Sequence, residues 1–219
     1  MKPAGHENAL VFDNVTSPGG GAWNLALPPG LAARVIIAES QGRSYFMRLI
    51  MGIDAPTAGR VSVLGRDTAD LSAMEAVLPR IGVAPRGGGL ISNLSVYENV
   101  SLPLYYHSSV LADITEDEID SRVTFALKAV GYGGQTSALP GTLPAFMRRM
   151  LGFARVMAQK PDIVVADALL AGLSSDAAER LAGAFSVMRE SNPGAAVAWI
   201  ASSPDEKTGI GFDLEAALS

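Results

Sequence analysis

LPAFMRRMLGFARVMAQKPDIVVADALLAGLS, Leu143–Ser174, joins two unlike patterns in one stretch. Up to Gln159 it reads as helix. Beyond it, Ile163-Val164-Val165-Ala166 is a continuous apolar run, too short for a helix and suited to a strand covered on both faces. A second such run is Val35-Ile36-Ile37-Ala38. Working outward, further candidate strands are Ala9–Phe12, Arg60–Leu64, Ile81–Ala84 and Ala196–Ala201, with the two runs extended to Ala33–Ala38 and Asp162–Ala166. Short apolar strands alternating with helices imply an α/β fold with a mainly parallel sheet.

The helices have readable ends. Arg43–Met51 stops at Gly52, a C′ glycine. Thr115 and Glu118 read as a capping box, opening a helix with Ile119, Val123, Leu127 and Val130 on one face and a stop at Gly131. Asp176 and Glu179 read as a second box, ahead of Leu181, Phe185 and Met188, and Asn192-Pro193-Gly194 ends that helix. Residues 90–159 look helical apart from the loop Tyr132–Leu143, whereas the flanks look like α/β. The expectation is one domain over 1–219, with 1–89 and 160–219 as an α/β core and 90–159 as an inserted helical subdomain. From Ser203 onward no element is apparent.

Composition excludes several classes of function. Hydrophobic residues make up 48% and charged residues 18%, enough apolar material for a packed core. The net charge of -5 and the lack of a basic stripe argue against nucleic acid as partner. No cysteine is present, so disulfides, thiol catalysis and zinc–thiolate sites are excluded. The two histidines, His6 and His107, read as ordinary surface or loop residues rather than a metal pair. MKPAGHENALVFDN has no apolar h-region, and no apolar run approaches the ~20 residues of a membrane span. Any membrane association is therefore expected to come through a partner.

Gly42-Arg43-Ser44 follows an apolar strand and opens a helix, where a G-x-x-x-x-G-K-[ST] phosphate loop would sit. Three further blocks carry a stronger signal. RLIMGIDAPTAGRVSVLGRD (Arg48–Asp67), IGVAPRGGGLISNLSVYENVSLPL (Ile81–Leu104) and Leu143–Ser174 resemble, in order and spacing, the ATP-binding subunits of ABC transporters. They correspond to the segment after the phosphate loop, the Q-loop region, and the signature helix running into Walker B and the D-loop. The resemblance implies a P-loop ABC ATPase core, with an N-terminal antiparallel β portion and an inserted helical subdomain. A finer resemblance, through NVSLPLYYHS, LKAVGY and Met147-Arg148-Arg149, is to the ATPases of Mce-associated, Mla-type phospholipid transporters.

The motif positions depart from the family. The first loop glycine is Ile37, and Ala38, Glu39, Ser40 and Gln41 fill the loop. A β-branched residue resists positive φ, and a carboxylate at Glu39 repels phosphate. Arg43 keeps the lysine's charge as a planar fork, and Ser44 keeps the hydroxyl that would bind magnesium. Asp167 stands at the Walker B magnesium position, with a plainer structural reading beside it: capping the next turn or pairing with Arg43. Ala168 stands where a glutamate would polarise water, a loss worth ~10²–10⁴-fold in rate. The signature reads Leu143-Pro144-Ala145-Phe146-Met147, the Q-loop position is Arg86, the D-loop position is Ser174, and the switch histidine falls at Ser202 or Ser203. The adenine platform falls at Ser17–Gly20, with Trp23 nearby but reading as core.

The expected catalytic set is therefore empty. A vestigial nucleotide site remains at Gly42, Arg43, Ser44, Arg86 and Asp167, with Ser44 and Asp167 as its magnesium ligands. ATP and magnesium are expected to bind weakly if at all. The expected role is a non-catalytic subunit of a phospholipid ABC transporter. It would dock on a transmembrane permease near Arg86–Tyr106, dimerise with itself or with an active ATPase, and sit at the cytoplasmic face of the inner membrane through its partners. Two other readings stand beside it: a soluble regulatory module using Arg43 and Arg86 as anion holders, and a weakly active ATPase with unusual motifs.

Overall fold

The computed structural model describes residues 7–106, 114–206 and 209–219. His6 and His107 lie outside the described residues. Two sheets organise the molecule. Strands β1 (Leu10–Thr16), β2 (Ala22–Leu27), β4 (Arg60–Val63) and β5 (Arg66–Asp67) form an antiparallel sheet in the order β2-β1-β4-β5. Strands β3 (Ala32–Ile36), β6 (Ile81–Ala84), β7 (Ile163–Asp167), β8 (Ala196–Ala201) and β9 (Leu214–Ala217) form a parallel sheet in the order β6-β7-β8-β3-β9.

The continuous apolar strands are explained by burial on both faces. Every residue of β8 is buried. Its side chains alternate between two cores, because successive residues of a strand point to opposite faces. Ala196, Ala198 and Ile200 join Phe12, Phe46 and the antiparallel sheet. Val197 and Trp199 join the helices. Trp199 meets Phe185 edge-on at 5.3 Å and Phe153 at 6.4 Å, whereas Phe12 stacks on Phe46 at 4.6 Å. Each such fully buried side chain contributes about 1.5–3 kcal/mol.

Six α-helices are present among the described residues: α1 (Ser40–Ile50), α2 (Leu71–Glu75), α3 (Val96–Tyr106), α4 (Glu116–Ala129), α5 (Ala145–Gln159) and α6 (Ser175–Ser191). Helices α3, α4 and α5 pack on one another, and α5 also touches β6. Tyr97 Oη donates to Asp120, and Tyr105 Oη donates to Glu116 at 2.7 Å, so α3 and α4 are tied by side chains. Helix α3 opens with a reciprocal box: the Glu98 N–H donates to Ser95 Oγ, and the Ser95 N–H donates to Glu98 Oε2. Asn99, fully buried, accepts from the Ile91 N–H and donates to three carbonyls, pinning the loop before α3.

Several sequence expectations change. Helix α1 begins at Ser40 rather than Arg43, and β3 ends at Ile36 rather than Ala38, because the intended loop is partly wound into helix. The cap of α6 is Ser174, whose Oγ accepts from the Ala177 N–H at 3.4 Å; Asp176 lies inside the first turn. Thr115 does cap α4, accepting from the Glu118 N–H, but the Glu118 carboxylate turns to Arg122 instead of closing the box. Beyond Ser203 an element exists: β9, with its LEAA sequence, pairs in parallel with β3.

Candidate functional site

The carboxyl ends of β3, β6, β7 and β8 face one side, where parallel α/β sheets form their crevices. Four of the motif positions follow these ends: residues 37–44 after β3, Arg86 after β6, Asp167 and Ala168 at the end of β7, and Ser202 and Ser203 after β8. They divide between two hollows.

At the first, Arg43 is folded into its own loop. It is only 8% exposed. Its Nη1 donates to the Ile37 carbonyl at 3.0 Å and to the Ala38 carbonyl at 2.7 Å. Its Nε lies 3.7 Å from Asp167 Oδ1, an ion-pair distance beyond hydrogen bonding. That buried oxygen has no hydrogen-bond partner among the described residues. The Arg43 N–H bonds the Glu39 carbonyl at 3.1 Å as part of the α1 ladder. Ile37, 2% exposed, fills the space beside Gly42, where a Cβ would come within 2.9 Å of the Ile37 side chain. Ser44 is exposed on α1, and Glu39 stands at the helix start without making a cap bond.

A phosphate loop needs free N–H groups around an anion-sized space and a cation turned into it. Here the Arg43 N–H is bonded within α1 and the Arg43 guanidinium is turned onto loop carbonyls. With Arg43 turned inward, the cation expected at the phosphate position faces its own loop instead of the open side of the strand end. Ala168 is fully buried at φ +44°, with its N–H on the Ile200 carbonyl at 3.0 Å. A left-handed alanine costs roughly 1–2 kcal/mol and makes the sharp exit from β7, but its methyl offers no base.

Arg86, Ser202 and Ser203 line the second hollow, an open cleft of about 960 Å³ walled by residues 170–175 and Glu206. Ser202 Oγ and N–H approach Glu206 Oε2 at 3.3 and 3.4 Å. Arg86 is exposed and has no hydrogen bond or ion pair among the described residues. Burial lowers the pKa of nearby Arg149, and the Arg86 charge lowers it further, while Glu206 acts in the opposite sense.

Four arginines hold the loops around these hollows by donating to backbone carbonyls. Arg43 clasps residues 37–38. Arg34 Nη2 donates to Ser203, Pro204 and Glu206 at 3.1, 2.8 and 3.0 Å. Arg149 Nη1 donates to Leu169 and Ala171 at 2.6 and 3.0 Å. Arg155 Nη1 donates to Gly89 at 2.8 Å, and burial lowers its pKa. Arg34 and Arg155 were not singled out from the sequence, and Arg149 figures there only within Met147-Arg148-Arg149. A signal was present: a charged residue inside an apolar run, as in AARVI or GFARVM, must find partners when the run is buried.

Three expected positions serve local structure. Ser174 caps α6. Pro144 occupies the N-cap of α5 without a side-chain bond, and Arg148 donates back to the Leu143 carbonyl at 2.5 Å. Ser17 closes a tight turn on Gly21, and Trp23 is 1% exposed among Phe12, Tyr45 and Phe46.

The family model described as "ABC transporter" matches residues 24–171. The chain belongs to the ABC transporter family. It is 31% identical over 155 residues to "Methionine import ATP-binding protein MetN 1" of Paraburkholderia xenovorans, covering 70% of this chain and 44% of that one. It is 30% identical over 151 residues to "Probable ribonucleotide transport ATP-binding protein mkl" of Mycobacterium leprae, covering 68% and 42%. The chain thus spans less than half the length of these curated relatives. Among solved structures it superposes on the bacterial ABC transporter cassette MJ0796 with a TM-score of 0.78 at 22% identity, covering 95% of this chain and 94% of that one. It superposes on cbiO1 from Clostridium perfringens with a TM-score of 0.74 at 20% identity, covering 92% and 81%. The fold is that of an ABC ATPase cassette, with its parallel sheet, flanking helices and antiparallel β portion. No helix among the described residues is long and apolar enough to cross a membrane.

Proposed function

We propose that this chain is a nucleotide-binding-impaired, non-hydrolytic ATP-binding-cassette subunit that acts by assembly with a transmembrane permease. One observation carries the reading: the Arg43 guanidinium, which would face phosphate, is spent on the carbonyls of its own loop. The empty general-base position at Ala168 and the displaced hydroxyl at Pro144 support it. Residues 90–159 serve as the permease-facing helical subdomain. A recess of about 360 Å³ beside Gly87, Leu90, Gly141 and Arg148 is the proposed docking groove. The chain pairs with itself or with an active ATPase, and sits at the cytoplasmic face of the inner membrane through these partners. A phospholipid cargo is the finest part of the proposal and rests on the sequence blocks around Asn99–Ser108 and Met147–Arg149.

Calorimetric titration with magnesium-ATP, with turnover assayed on the same sample, tests the reading. No heat and no turnover at millimolar nucleotide is the expected result. Turnover abolished by Asp167→Asn would overturn it and favour the second reading, a weakly active ATPase, which draws on the exposed Ser44 and the retained Asp167. Copurification with a permease separates both from a soluble module that has left transport.

A further inference from the structure

The acids of this chain are unevenly placed. Residues 76–97 and 121–161 hold none of its 22 Asp and Glu but eight of its 17 Lys and Arg, although the whole chain carries a net charge of -5. Arg80 and Arg122 pair with carboxylates of neighbouring residues, Asp162 and Glu118. Arg86, Arg148, Arg149 and Arg155 form no ion pair among the described residues. The fold gathers these four around one loop. Arg86 immediately precedes Gly87. The Arg148 carbonyl backs onto Gly88, where a Cβ would meet its oxygen at 2.2 Å. Arg155 donates to the Gly89 carbonyl at 2.8 Å and the Gly88 carbonyl at 3.4 Å. Arg149 adjoins Arg148 and is turned to the Leu169 and Ala171 carbonyls. Glu206, whose charge acts on Arg149, accepts from Ser202 instead. The recess of about 360 Å³ opens on this loop, lined by Gly87, Leu90, Pro140 and Arg148 among others and by no acid. Ile91 and Leu139, 41% and 48% exposed, adjoin its lining residues in sequence. Guanidinium groups satisfied only by neutral carbonyls keep their charge, so this face is positive on an otherwise acidic chain.

We propose that this recess docks a short amphipathic helix of acidic character, supplied by the proposed permease partner. An apolar side chain of that helix enters over Leu90 and Pro140, and a carboxylate beside it meets Arg148. Arg86, Arg149 and Arg155 add attraction at longer range, which steers the encounter and selects against a basic segment. A flat anionic membrane surface would meet the same charges but leave the recess empty. Nucleic acid calls for a basic track along a backbone, whereas these four groups ring one hollow. The inference rests on the proposed assembly with a permease and names the chemistry of its docking segment.

The test is an NMR titration of the whole chain with an end-capped helical peptide of Leu, Ala and Glu, about 12 residues or three turns long. Its counterpart carries Lys in place of every Glu. Vesicles containing phosphatidylglycerol are titrated in parallel. The acidic peptide should bind at least ~10-fold more tightly than the basic one, weaken in high salt, and shift the amides of Gly87, Leu90 and Gly141. Gly141→Leu should abolish binding, since a Cβ there meets open space and the longer side chain fills the recess without a clash. Arg86→Glu, an exposed substitution, should weaken the acidic peptide ~3-fold, and Arg66→Glu, an exposed arginine of the antiparallel sheet, should leave it unchanged. Absence of peptide binding, equal binding of the two peptides, or binding that survives Gly141→Leu in a folded variant overturns the proposal. Vesicle binding without peptide binding also overturns it and assigns the positive face to the membrane. Neither nucleotide nor permease enters this experiment, so its failure removes the acidic docking segment and leaves the proposed non-hydrolytic role to the magnesium-ATP titration.

Discussion

The two hollows at the carboxyl ends of the parallel strands have diverged in opposite directions. At β3, the backbone that would wrap phosphate has wound into α1, and Ile37, Gly42 and an inward Arg43 leave an apolar residue of space. At β6, β7 and β8 the crevice stays open, about 960 Å³, with Arg86, Glu179, Asp205 and Glu206 around it. Both arise from the same strand-end geometry. The contrast shows that topology supplies the crevice and side chains decide whether it stays wet. What unites the two is the way their loops are held. Arginines on backbone carbonyls supply fixed donors inside the protein, which tie these loops to the sheet and helices.

The strongest way to break this comparison acts on the loop after β6 that carries Arg86 to the open cleft. Gly152 of α5 lies so close to the loop after β6 that a Cβ would meet the Gly88 carbonyl oxygen at 2.3 Å. Backbone cannot yield as a side chain can. Gly152→Ala is expected to cost about 3 kcal/mol by overpacking, read from the urea midpoint. A loss under about 0.5 kcal/mol would show that the loop is not pinned there.

Arg43 tests the closed hollow. Arg43→Met strips two carbonyls of their donor and leaves the Asp167 carboxylate without its cation, a cost of about 2–4 kcal/mol. Adding Asp167→Leu should restore part of it, since the second change removes the stranded charge. A double-mutant cycle measures that coupling, and additive losses would mean the pair does not interact.

Arg34 sharpens the contrast between the loops. Arg34→Gln removes donors to three carbonyls and is expected to cost about 1–2 kcal/mol. Hydrogen exchange should quicken around residues 203–206 and stay unchanged at 37–43; quickening in both places would make the two hollows one cooperative unit.

The smallest effect concerns pH. The Ala32 N–H, donating to Asp213 Oδ2 at 2.7 Å, holds that carboxyl below its ordinary range, and the charge of Arg189 adds to this. A depressed folded pKa gives stability that is present above the unfolded value, about 3.9, and lost as pH falls through the folded one. The melting temperature of Asp213→Asn should therefore fall less steeply than the parent's below about pH 4. Parallel curves would remove Asp213 from the acid response.

Legibility in the sequence followed how local each signal is. Strand β6 and strand β8 were read with their observed bounds, because a continuous apolar run reports burial on both faces directly. Strand β9 was missed because LEAA has helical propensity; it is a strand because it completes the edge beside β3. The second capping box failed for a related reason. Asp176 and Glu179 have the right spacing, but Ser174, just after the Leu170–Leu173 turn, is the residue placed to cap. Helix α3 shows the opposite case, a complete Ser95–Glu98 box in plain sequence that was passed over. The candidate site was legible as a set of missing groups: no loop glycine at Ile37, no base at Ala168, no histidine at Ser202 or Ser203.

The sequence by itself determined the α/β class, the helical middle, and which residues stand at the phosphate-loop and general-base positions, Ile37 and Ala168, since each depends on residue identity or on periodicity along a few turns. Tertiary structure decided where Arg43 points, which carbonyls Arg34, Arg149 and Arg155 clasp, and that the strand ends open into two hollows of unlike polarity. Those facts join residues as far apart as Arg34 and Glu206. An arginine's acceptors are backbone oxygens, which carry no mark of their own in a sequence, and they come within reach only when the sheet brings the strand ends together.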